Sequence, residues 1–254
     1  MPPSTESAAR GERMASTGVT TLRYFSARGR AQFLRYYFHA REIPFVDEEV
    51  ALSADFAAWG PIRSDRTLSG PFQKLPVLHC DGHLIAEMPV LAAFVHRRFG
   101  DEQRLSPAEN LQHAMLLSSL FGDVMTPIGL LIWLDAVYAG IDLAAAAKRG
   151  LERVNAQMHN IERTLIEWQW FAHLPNRPVM VADCLLWEEL SVLQHVFGSH
   201  VPLGSWPELA RFYAEFVGRG VCERQLAAKP RPVTGRPGEP AAIAKLQQAL
   251  APAS

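Results

Sequence analysis

The sequence has few cysteines, and none of them stands in a motif that binds metal or exchanges disulfides. The three cysteines, Cys80, Cys184 and Cys222, are widely separated, and no CxxC pair occurs. A zinc ribbon and a dithiol redox motif are therefore not indicated, and scattered thiols in odd number favour a reducing, cytoplasmic compartment. The nine histidines form no HExxH pair, so we expect no metal site.

Several other signatures are missing. The formal net charge is only -1, and no basic run is interleaved with aromatic residues, which argues against a nucleic-acid partner. No apolar run has the length that a membrane span needs, so we expect none. Residues 1–19 are rich in small polar residues and lack the apolar core of a secretory signal, which predicts a disordered extension. There is no P-loop, dinucleotide-binding or nucleophile-elbow motif.

What is present begins with alternating strand and helix patterns over residues 20–100. The order β-α-β-α-β-β-α predicts a parallel βαβ unit followed by a hairpin, whose turn is Asp81-Gly82, and a covering helix. This is an α/β domain with a small mixed sheet. The strands are predicted at Thr20–Phe25, Pro44–Val50, Leu75–His79 and His83–Ala86.

Residues 107–228 show helical periodicity alone and predict an all-α domain. Its first helix is expected to run from about Ala108 to Tyr138, with an interruption near Pro127 and Gly129. Residues 229–254 are predicted to be a Pro/Gly-rich tail without a core-forming pattern, with at most a loosely attached helix at Ala241–Leu250.

The stretch from Leu22 to Arg30 carries the most chemistry. It predicts a strand that ends at Tyr24-Phe25, a tight turn, and a helix that opens near Arg28. A phenol beside a helix N-terminus can donate a hydrogen bond to an anion such as a thiolate, and the helix end adds positive potential. The alternative interpretation of the same tyrosine is a packing residue at a strand end, and Ser26 is a less favoured alternative for activating a thiol.

Four short motifs, taken in their order along the chain, resemble those of the cytosolic glutathione transferases. The resemblance is greatest to the Tyr-dependent sigma class, which includes prostaglandin D synthases. The resemblance covers residues 20–228 and implies a thioredoxin-like N-terminal domain followed by an all-α domain. The motifs are Tyr24-Phe25 with Arg28-Gly29-Arg30, Trp59-Gly60-Pro61-Ile62-Arg63, Pro71–Leu78 with Asp81-Gly82, and Ala182-Asp183.

The resemblance implies roles for individual residues. Tyr24 would donate its hydroxyl hydrogen bond to the glutathione sulfur, with Arg30 as a nearby positive charge. Pro76 matches the family's cis-proline, so the backbone of Leu75 would pair with the cysteinyl part of glutathione. Three residues match the positions around the glycyl carboxylate, namely Trp59, Arg63 and Lys74.

The γ-glutamyl end of the implied site departs from the family pattern. The family has Gln-Ser where this chain has Glu87-Met88, followed by Pro89. Glu87 adds a negative charge, Met88 removes a hydroxyl donor, and Pro89 has no backbone N–H, so each change weakens an anion site. Asp123 matches the aspartate that reaches the γ-glutamyl amine of the partner subunit.

Two hypotheses follow. The first is a cytoplasmic homodimeric glutathione transferase, of a detoxifying kind, that uses glutathione as co-substrate to attack or isomerise an apolar electrophile. Its apolar site would have walls from Phe121, Met125, Trp133 and Tyr138. The second is a non-catalytic dimeric binding or scaffold protein of the same fold whose γ-glutamyl site is degraded.

Overall fold

The computed structural model describes residues 18–251, except positions 54, 139, 174–176, 202 and 219. The disordered extension predicted over residues 1–19 lies outside this part of the chain, apart from Gly18 and Val19.

The N-terminal domain is built on a four-stranded mixed sheet of order β2-β1-β3-β4. The strands are β1 (Thr20–Phe25), β2 (Phe45–Val50), β3 (Val77–Cys80) and β4 (His83–Ala86). Strands β1 and β2 are parallel, whereas β3 is antiparallel to both β1 and β4. The helices of this domain are α1 (Gln32–Ala40), α2 (Trp59–Ser64), α3 (Arg66–Ser69) and α4 (Met88–Arg98). The predicted thioredoxin-like order is confirmed.

The rest of the described chain is mainly helical, apart from connecting segments. It comprises α5 (Pro107–Ser119), a π-helical segment (Leu120–Met125), α6 (Thr126–Val137), α7 (Leu143–Glu167), α8 (Trp170–His173), α9 (Val181–Phe197), α10 (Pro207–Gly218), α11 (Val221–Ala228) and α12 (Glu239–Leu250). Helix α1 packs on α9, where Tyr36 meets the fully buried Trp187 edge to face at 5.3 Å between ring centroids. This contact joins the two domains through one core.

The interruption in the first long helix lies earlier than the prediction placed it. The irregular turns are the π-helical residues Leu120–Met125, and helix α6 runs through Pro127 and Gly129. Pro127 has no N–H to donate and stands in the first turn of α6, where a proline is tolerated. The Thr126 hydroxyl donates to the Phe121 carbonyl at 2.7 Å and satisfies an acceptor there.

The end of the chain corrects the tail predicted for residues 229–254. Helix α12 packs against α6, α7 and α9, and buries Ile243 and Leu246. The Pro/Gly content that suggested a tail belongs to the preceding connector, residues 229–238, whose Val233 is also buried. Proline and glycine shape the path of this connector, and tertiary contacts hold it.

The expectation that no stretch is long enough to span a membrane is also corrected. Pro107–Leu134 is long and apolar enough by length and composition, and 44% of its most apolar window is buried inside the protein. The stretch becomes continuous only because the π-helical segment joins α5 to α6. A core helix passes the same test, so this finding is weak support for a span.

A buried histidine pair lies where α4 meets α5. The rings of His96 and His113 stack with centroids 4.0 Å apart, and the Ala182 N–H donates to Nε2 of His113 at 3.3 Å. Burial, and then the neighbouring His96, lower the pKa of His113 to about 3; Asp183 raises it and Arg177 lowers it further. His113 is therefore neutral in the folded protein over a wide range of acid pH.

We expect acidification to destabilise the fold through His113. Between pH 6.5 and about 3 the unfolded imidazole binds a proton and the folded one does not, so the free energy of unfolding falls as pH decreases. The slope from this group approaches ~1.4 kcal/mol per pH unit. Urea unfolding at several pH values should show a shallower slope for His113→Gln than for wild type. The exposed His83→Gln is the control, and equal slopes for wild type and His113→Gln would contradict the account.

Candidate active site

Tyr24 stands at the end of β1 with its ring buried and 7% of its surface exposed. Its hydroxyl oxygen accepts a hydrogen bond from the backbone N–H of Arg30 at 3.0 Å. Burial raises the pKa of Tyr24, while the Arg30 backbone, the Arg30 charge and the Arg35 charge act in the opposite direction. The phenol is therefore protonated at neutral pH, and its O–H is available as a donor.

Gly29 makes this arrangement possible. It has a positive φ of 37°, and a Cβ at this position would overlap the Tyr24 hydroxyl. Only glycine lets the turn pass so close to the phenol while presenting the next N–H to it. The glycine of the Arg28-Gly29-Arg30 motif thus allows the hydrogen bond between the Arg30 N–H and the Tyr24 hydroxyl.

Arg28 anchors the same turn to the helical domain. Its guanidinium donates to both carboxylate oxygens of Glu188, at 3.1 and 2.8 Å, and to the Ser191 hydroxyl at 3.0 Å. Although burial lowers it, the Glu188 carboxylate raises the pKa of Arg28 above its ordinary value. The pair is almost completely buried. It holds the β1–α1 turn against α9.

The connector described above fixes the turn from the other side. The Arg28 N–H donates to the Pro232 carbonyl at 2.8 Å, and the Gly29 N–H donates to the Val233 carbonyl at 2.6 Å. Arg231 pairs with Asp47 at 2.9 Å. The C-terminal segment is thus part of the site around Tyr24.

Glu239, at the start of α12, closes the connector into its bent path. Its carboxylate accepts from the backbone N–H groups of Val233, Thr234 and Gly235 at 2.6, 2.7 and 3.0 Å. Three orphan donors are satisfied by one buried carboxylate, which keeps this segment ordered without regular secondary structure.

A cavity of about 380 Å³ opens beside Tyr24. Tyr24 and Arg30 line one wall, α6 supplies apolar groups, and the connector contributes Val233 and Thr234. The apolar residues that define its character are Ile128, Ile132, Trp133 and Val192. Such a cavity suits an apolar ligand held next to the phenol.

Two of the four expected apolar walls line this cavity, namely Met125 and Trp133. Phe121 instead packs in the core, with its ring centroid 5.5 Å from that of Phe33. Tyr138 is exposed, beyond the end of α6, and is not among the lining residues.

The residues matched to the cysteinyl and glycyl parts of glutathione lie on the sheet side of the site. The Leu75–Pro76 bond is cis, and Leu75 is buried. Trp59 is half-buried and meets Phe25 edge to face at 5.3 Å between centroids. Since Phe25 in turn touches Tyr24, an aromatic row leads from α2 to the phenol. The cations Arg63 and Lys74 are exposed. None of these residues lines the cavity.

The residues matched to the γ-glutamyl end lie at the start of α4. Glu87 is exposed, has a positive φ of 69°, and its side chain does not cap the helix. Met88 begins α4, and Pro89 follows in its first turn. Asp123 is half-buried in the π-helical segment. The positive φ of Glu87 is uncommon for a residue other than glycine.

Two acidic residues of α9 were not predicted as site residues. Glu188 and Glu189 both line the cavity and are buried. The signal in the sequence was an adjacent pair of glutamates inside the apolar helix Val181–Phe197. Buried charges are rare unless they are paired or functional.

Other chemistry is less well supported by the geometry. Within the described part of the chain, no three His, Cys, Asp or Glu side chains come together to hold a metal ion. All three cysteines are buried and outside any disulfide, and burial raises the pKa of Cys184 well above that of an ordinary thiol. A thiol of the protein itself is thus a poor nucleophile.

A thioredoxin-like domain with a cis-proline, an all-α domain, and a buried tyrosine between them define the glutathione transferase class of fold. The comparisons agree. The chain is 35% identical over 74 residues to human hematopoietic prostaglandin D synthase, a match that covers 29% of this chain and 33% of that protein. The chain thus spans about a third of the length of the curated relatives it matches. No family model matches the chain.

The solved structures cover nearly all of the fold. A Pi-class glutathione S-transferase of Onchocerca volvulus aligns with 87% of this chain and 100% of its own, at a TM-score of 0.65 and 18% identity. The sigma class transferase of Fasciola hepatica aligns with 84% of this chain and 97% of its own, at a TM-score of 0.63 and 18% identity. The chain has the glutathione transferase fold, and the resemblance predicted from its sequence is confirmed.

Proposed function

We propose that this protein is a cytoplasmic glutathione transferase-like enzyme that activates the thiol of glutathione for reaction with an apolar electrophile. The observation that carries the proposal is the buried, protonated Tyr24 hydroxyl beside an apolar cavity. The glutathione sulfur would lie next to this hydroxyl, and the electrophile would occupy the cavity.

The chemistry rests on stabilising a thiolate. A free thiol has a pKa near 8.5, so only a few per cent is ionised at neutral pH. The Tyr24 O–H would donate to the sulfur anion, while the Arg30 N–H donates to the Tyr24 oxygen and polarises the phenol. The Arg30 guanidinium lies at the cavity wall and adds positive potential.

The remaining roles are proposed from the sequence match and the positions described above. The backbone of Leu75, before cis-Pro76, would pair with the cysteinyl part of glutathione. The exposed cations Arg63 and Lys74 and the half-buried Trp59 indole would suit the glycyl carboxylate.

A second candidate function is a non-catalytic dimeric binding or scaffold protein of this fold. The observation that favours it is the exposed Glu87 carboxylate, which stands where the family offers donors to the γ-glutamyl carboxylate. Met88 and Pro89 bring no replacement donor.

Glutathione binding separates the two candidates. A thermal-shift titration with millimolar glutathione should raise the Tm, and immobilised glutathione should retain the protein. Cysteinylglycine, which lacks the γ-glutamyl group, is the matched ligand control. If there is neither a shift nor retention, the glutathione transferase proposal is wrong.

We expect the double variant Glu87→Gln, Met88→Ser to bind glutathione about 10-fold more tightly, because it removes a repelling charge and restores a hydroxyl donor. Isothermal titration calorimetry measures this Kd directly. Affinity for cysteinylglycine should stay unchanged, because that ligand has no group at this end. Unaltered glutathione affinity would show that this end of the site does not limit binding.

We also infer a homodimer, on the evidence of apolar surface on α4 and α5. Val90, Leu111 and Met115 are large, exposed and apolar. Val90 also lines a groove of about 600 Å³ between the two helices, together with Phe94 and Leu117. Exposed apolar patches of this kind mark protein interfaces. Asp123 would then be free to act toward the site of the partner subunit.

Charges on this surface should dissociate the dimer. We expect Leu111→Lys with Met115→Lys to be monomeric in sedimentation velocity at micromolar concentration, where the wild type is dimeric. The control is Ile166→Lys, because Ile166 is exposed and apolar on α7, away from this surface. A double variant that remains dimeric would place the interface elsewhere.

A further inference from the structure

Glu189 has no role in the mechanism above, yet it is the more unusual of the two buried glutamates. It lies on α9 with 2% of its surface exposed, and it lines the cavity beside Tyr24. Its neighbour Glu188 is held by Arg28. Over the described residues, Glu189 itself has no hydrogen bond or ion pair. A buried polar group without a protein partner at a cavity wall indicates a partner in the ligand.

The surroundings favour the neutral acid over the carboxylate. Burial, and then the Glu188 charge, raise the pKa of Glu189 well above its ordinary value, and Arg28 only partly opposes them. The Arg28 guanidinium is already engaged with both oxygens of Glu188 and with Ser191. In its neutral form Glu189 presents an O–H donor to the cavity.

The chemistry of the cavity limits the chemical class of its ligand. The walls are apolar, through Ile128, Ile132 and Val192, and a neutral acid stands among them. An apolar molecule with one hydrogen-bond acceptor matches both the apolar walls and the carboxylic acid group. An electrophile that becomes more basic at that acceptor as it reacts would profit most, because the donor then binds the transition state more tightly than the substrate.

We propose that Glu189 donates a hydrogen bond, and then a proton, to the carbonyl oxygen of an α,β-unsaturated aldehyde or ketone bound in this cavity. This inference rests on the proposed function for the source of the thiolate, and it names the electrophile class. Glu189 acts as a catalytic acid, whereas Tyr24 acts on the sulfur.

The step balances as a conjugate addition. The thiolate sulfur forms a bond to the β-carbon, the C=C π bond breaks, and its electron pair moves through the conjugated system to the carbonyl oxygen. Glu189 transfers its proton to that oxygen and gives an enol, which tautomerises to the saturated carbonyl thioether. The Glu189 carboxylate then takes a proton from water, which replaces the proton that the thiol released. The net reaction adds one thiol across one double bond, without an oxidant or reductant.

Steady-state kinetics test the proposal through the ratio of kcat/KM for an enone to kcat/KM for an alkyl chloride. With glutathione saturating, kcat/KM is measured for benzylideneacetone, an enone, and for benzyl chloride, which forms no carbonyl oxyanion. Glu189→Leu should lower the enone-to-chloride ratio about 100-fold, the effect of removing one oxyanion donor. Glu189→Gln, which keeps an N–H donor but has no transferable proton, should fall between. The control Glu162→Gln removes another buried glutamate, on α7, and should leave the ratio unchanged.

Binding without any thiol supplies an independent measurement. Tryptophan fluorescence, to which Trp133 in the cavity wall contributes, reports the affinities for benzylacetone and butylbenzene, which differ by a carbonyl. The wild type should prefer the ketone, and Glu189→Leu should lose about 10-fold of that preference. The infrared difference between wild type and Glu189→Gln should contain the C=O band of a protonated carboxylic acid.

The outcomes keep the two proposals apart. If the wild type conjugates neither electrophile but Glu189→Leu still loses the ketone preference, the proposed function fails and the assignment of Glu189 stands as a ligand site. If conjugation occurs and neither the ratio nor the preference changes in Glu189→Leu, this inference is overturned. Should Glu189→Leu fail to fold, the nearly isosteric Glu189→Gln decides, and absence of the infrared acid band would overturn it equally.

Discussion

Tyr24→Phe should lower kcat/KM for glutathione conjugation about 100-fold, which is the usual consequence of removing one hydrogen-bond donor from a developing or stabilised anion. The variant removes only the hydroxyl and keeps the ring that packs against Phe25. The bound thiol should lose its stabilised thiolate, so its pKa should rise by about 2 units toward that of a free thiol, since each unit corresponds to about 1.4 kcal/mol. Ultraviolet absorbance of the bound thiolate as a function of pH measures this shift directly.

A second buried tyrosine provides the control for Tyr24. Tyr36 lies on α1, packs edge to face on Trp187, and is not a lining residue of the cavity. Tyr36→Phe should therefore leave both the thiol pKa and the rate unchanged. If Tyr24→Phe has wild-type rates and an unchanged thiol pKa, the tyrosine is a packing residue. Ser26 on the same turn would then be the next hydroxyl to test, although its oxygen accepts a hydrogen bond from Leu52.

The fold was largely predictable because its signals are local. The short apolar strand before Asp81-Gly82 and the strand after it define a hairpin, and a hairpin turn depends on a few adjacent residues. Helical periodicity likewise identified α7, because it buries one continuous stripe. Helix α9 was also predicted, although nearly all of its residues are buried. Such patterns depend on neighbours within about two turns, which a single sequence contains.

The parts of the site that were missed depend on contacts between distant residues. Arg28 and Glu188 are 160 positions apart, and the carbonyls that bind the turn come from the C-terminal connector. A Pro/Gly-rich composition correctly predicts the lack of helix there but says nothing about its partners. Three backbone N–H groups of the connector find Glu239, a pairing that no periodicity encodes. Hydrogen bonds between the backbone of the connector and other parts of the protein, rather than local secondary-structure propensity, order this segment.

These distant contacts give the site its electrostatic balance. The Arg28 guanidinium is paired with Glu188, so it only partly opposes the rise in the pKa of Glu189 that burial and the Glu188 charge cause. The positive potential near Tyr24 then comes from the Arg30 and Arg35 charges and from the Arg30 backbone N–H. Under the proposed function, this ion pair separates two regions of the cavity, a sulfur-binding end beside Tyr24 and an α9 wall where Glu189 is a neutral acid.

Arg28→Met should destabilise the protein by about 3–5 kcal/mol, because it leaves the Glu188 carboxylate buried without its partner. The guanidinium has 7% of its side-chain surface exposed and the carboxylate 1%, so water cannot replace the lost bonds. Urea unfolding followed by tryptophan fluorescence measures the loss. The control is Arg97→Met, which breaks an exposed pair with Glu102 and should cost less than about 1 kcal/mol.

The double variant Arg28→Met, Glu188→Met distinguishes an unpaired charge from lost packing. Replacing a buried ion pair with apolar side chains of similar volume is often nearly neutral, so the double variant should be more stable than Arg28→Met alone. The Arg28 and Gly29 N–H groups keep their bonds to the connector in both variants, which holds the turn in place. If the double variant is as unstable as the single one, the ion pair is not the source of the loss, and the contacts of the Arg28 side chain with Ser191 and its surroundings are.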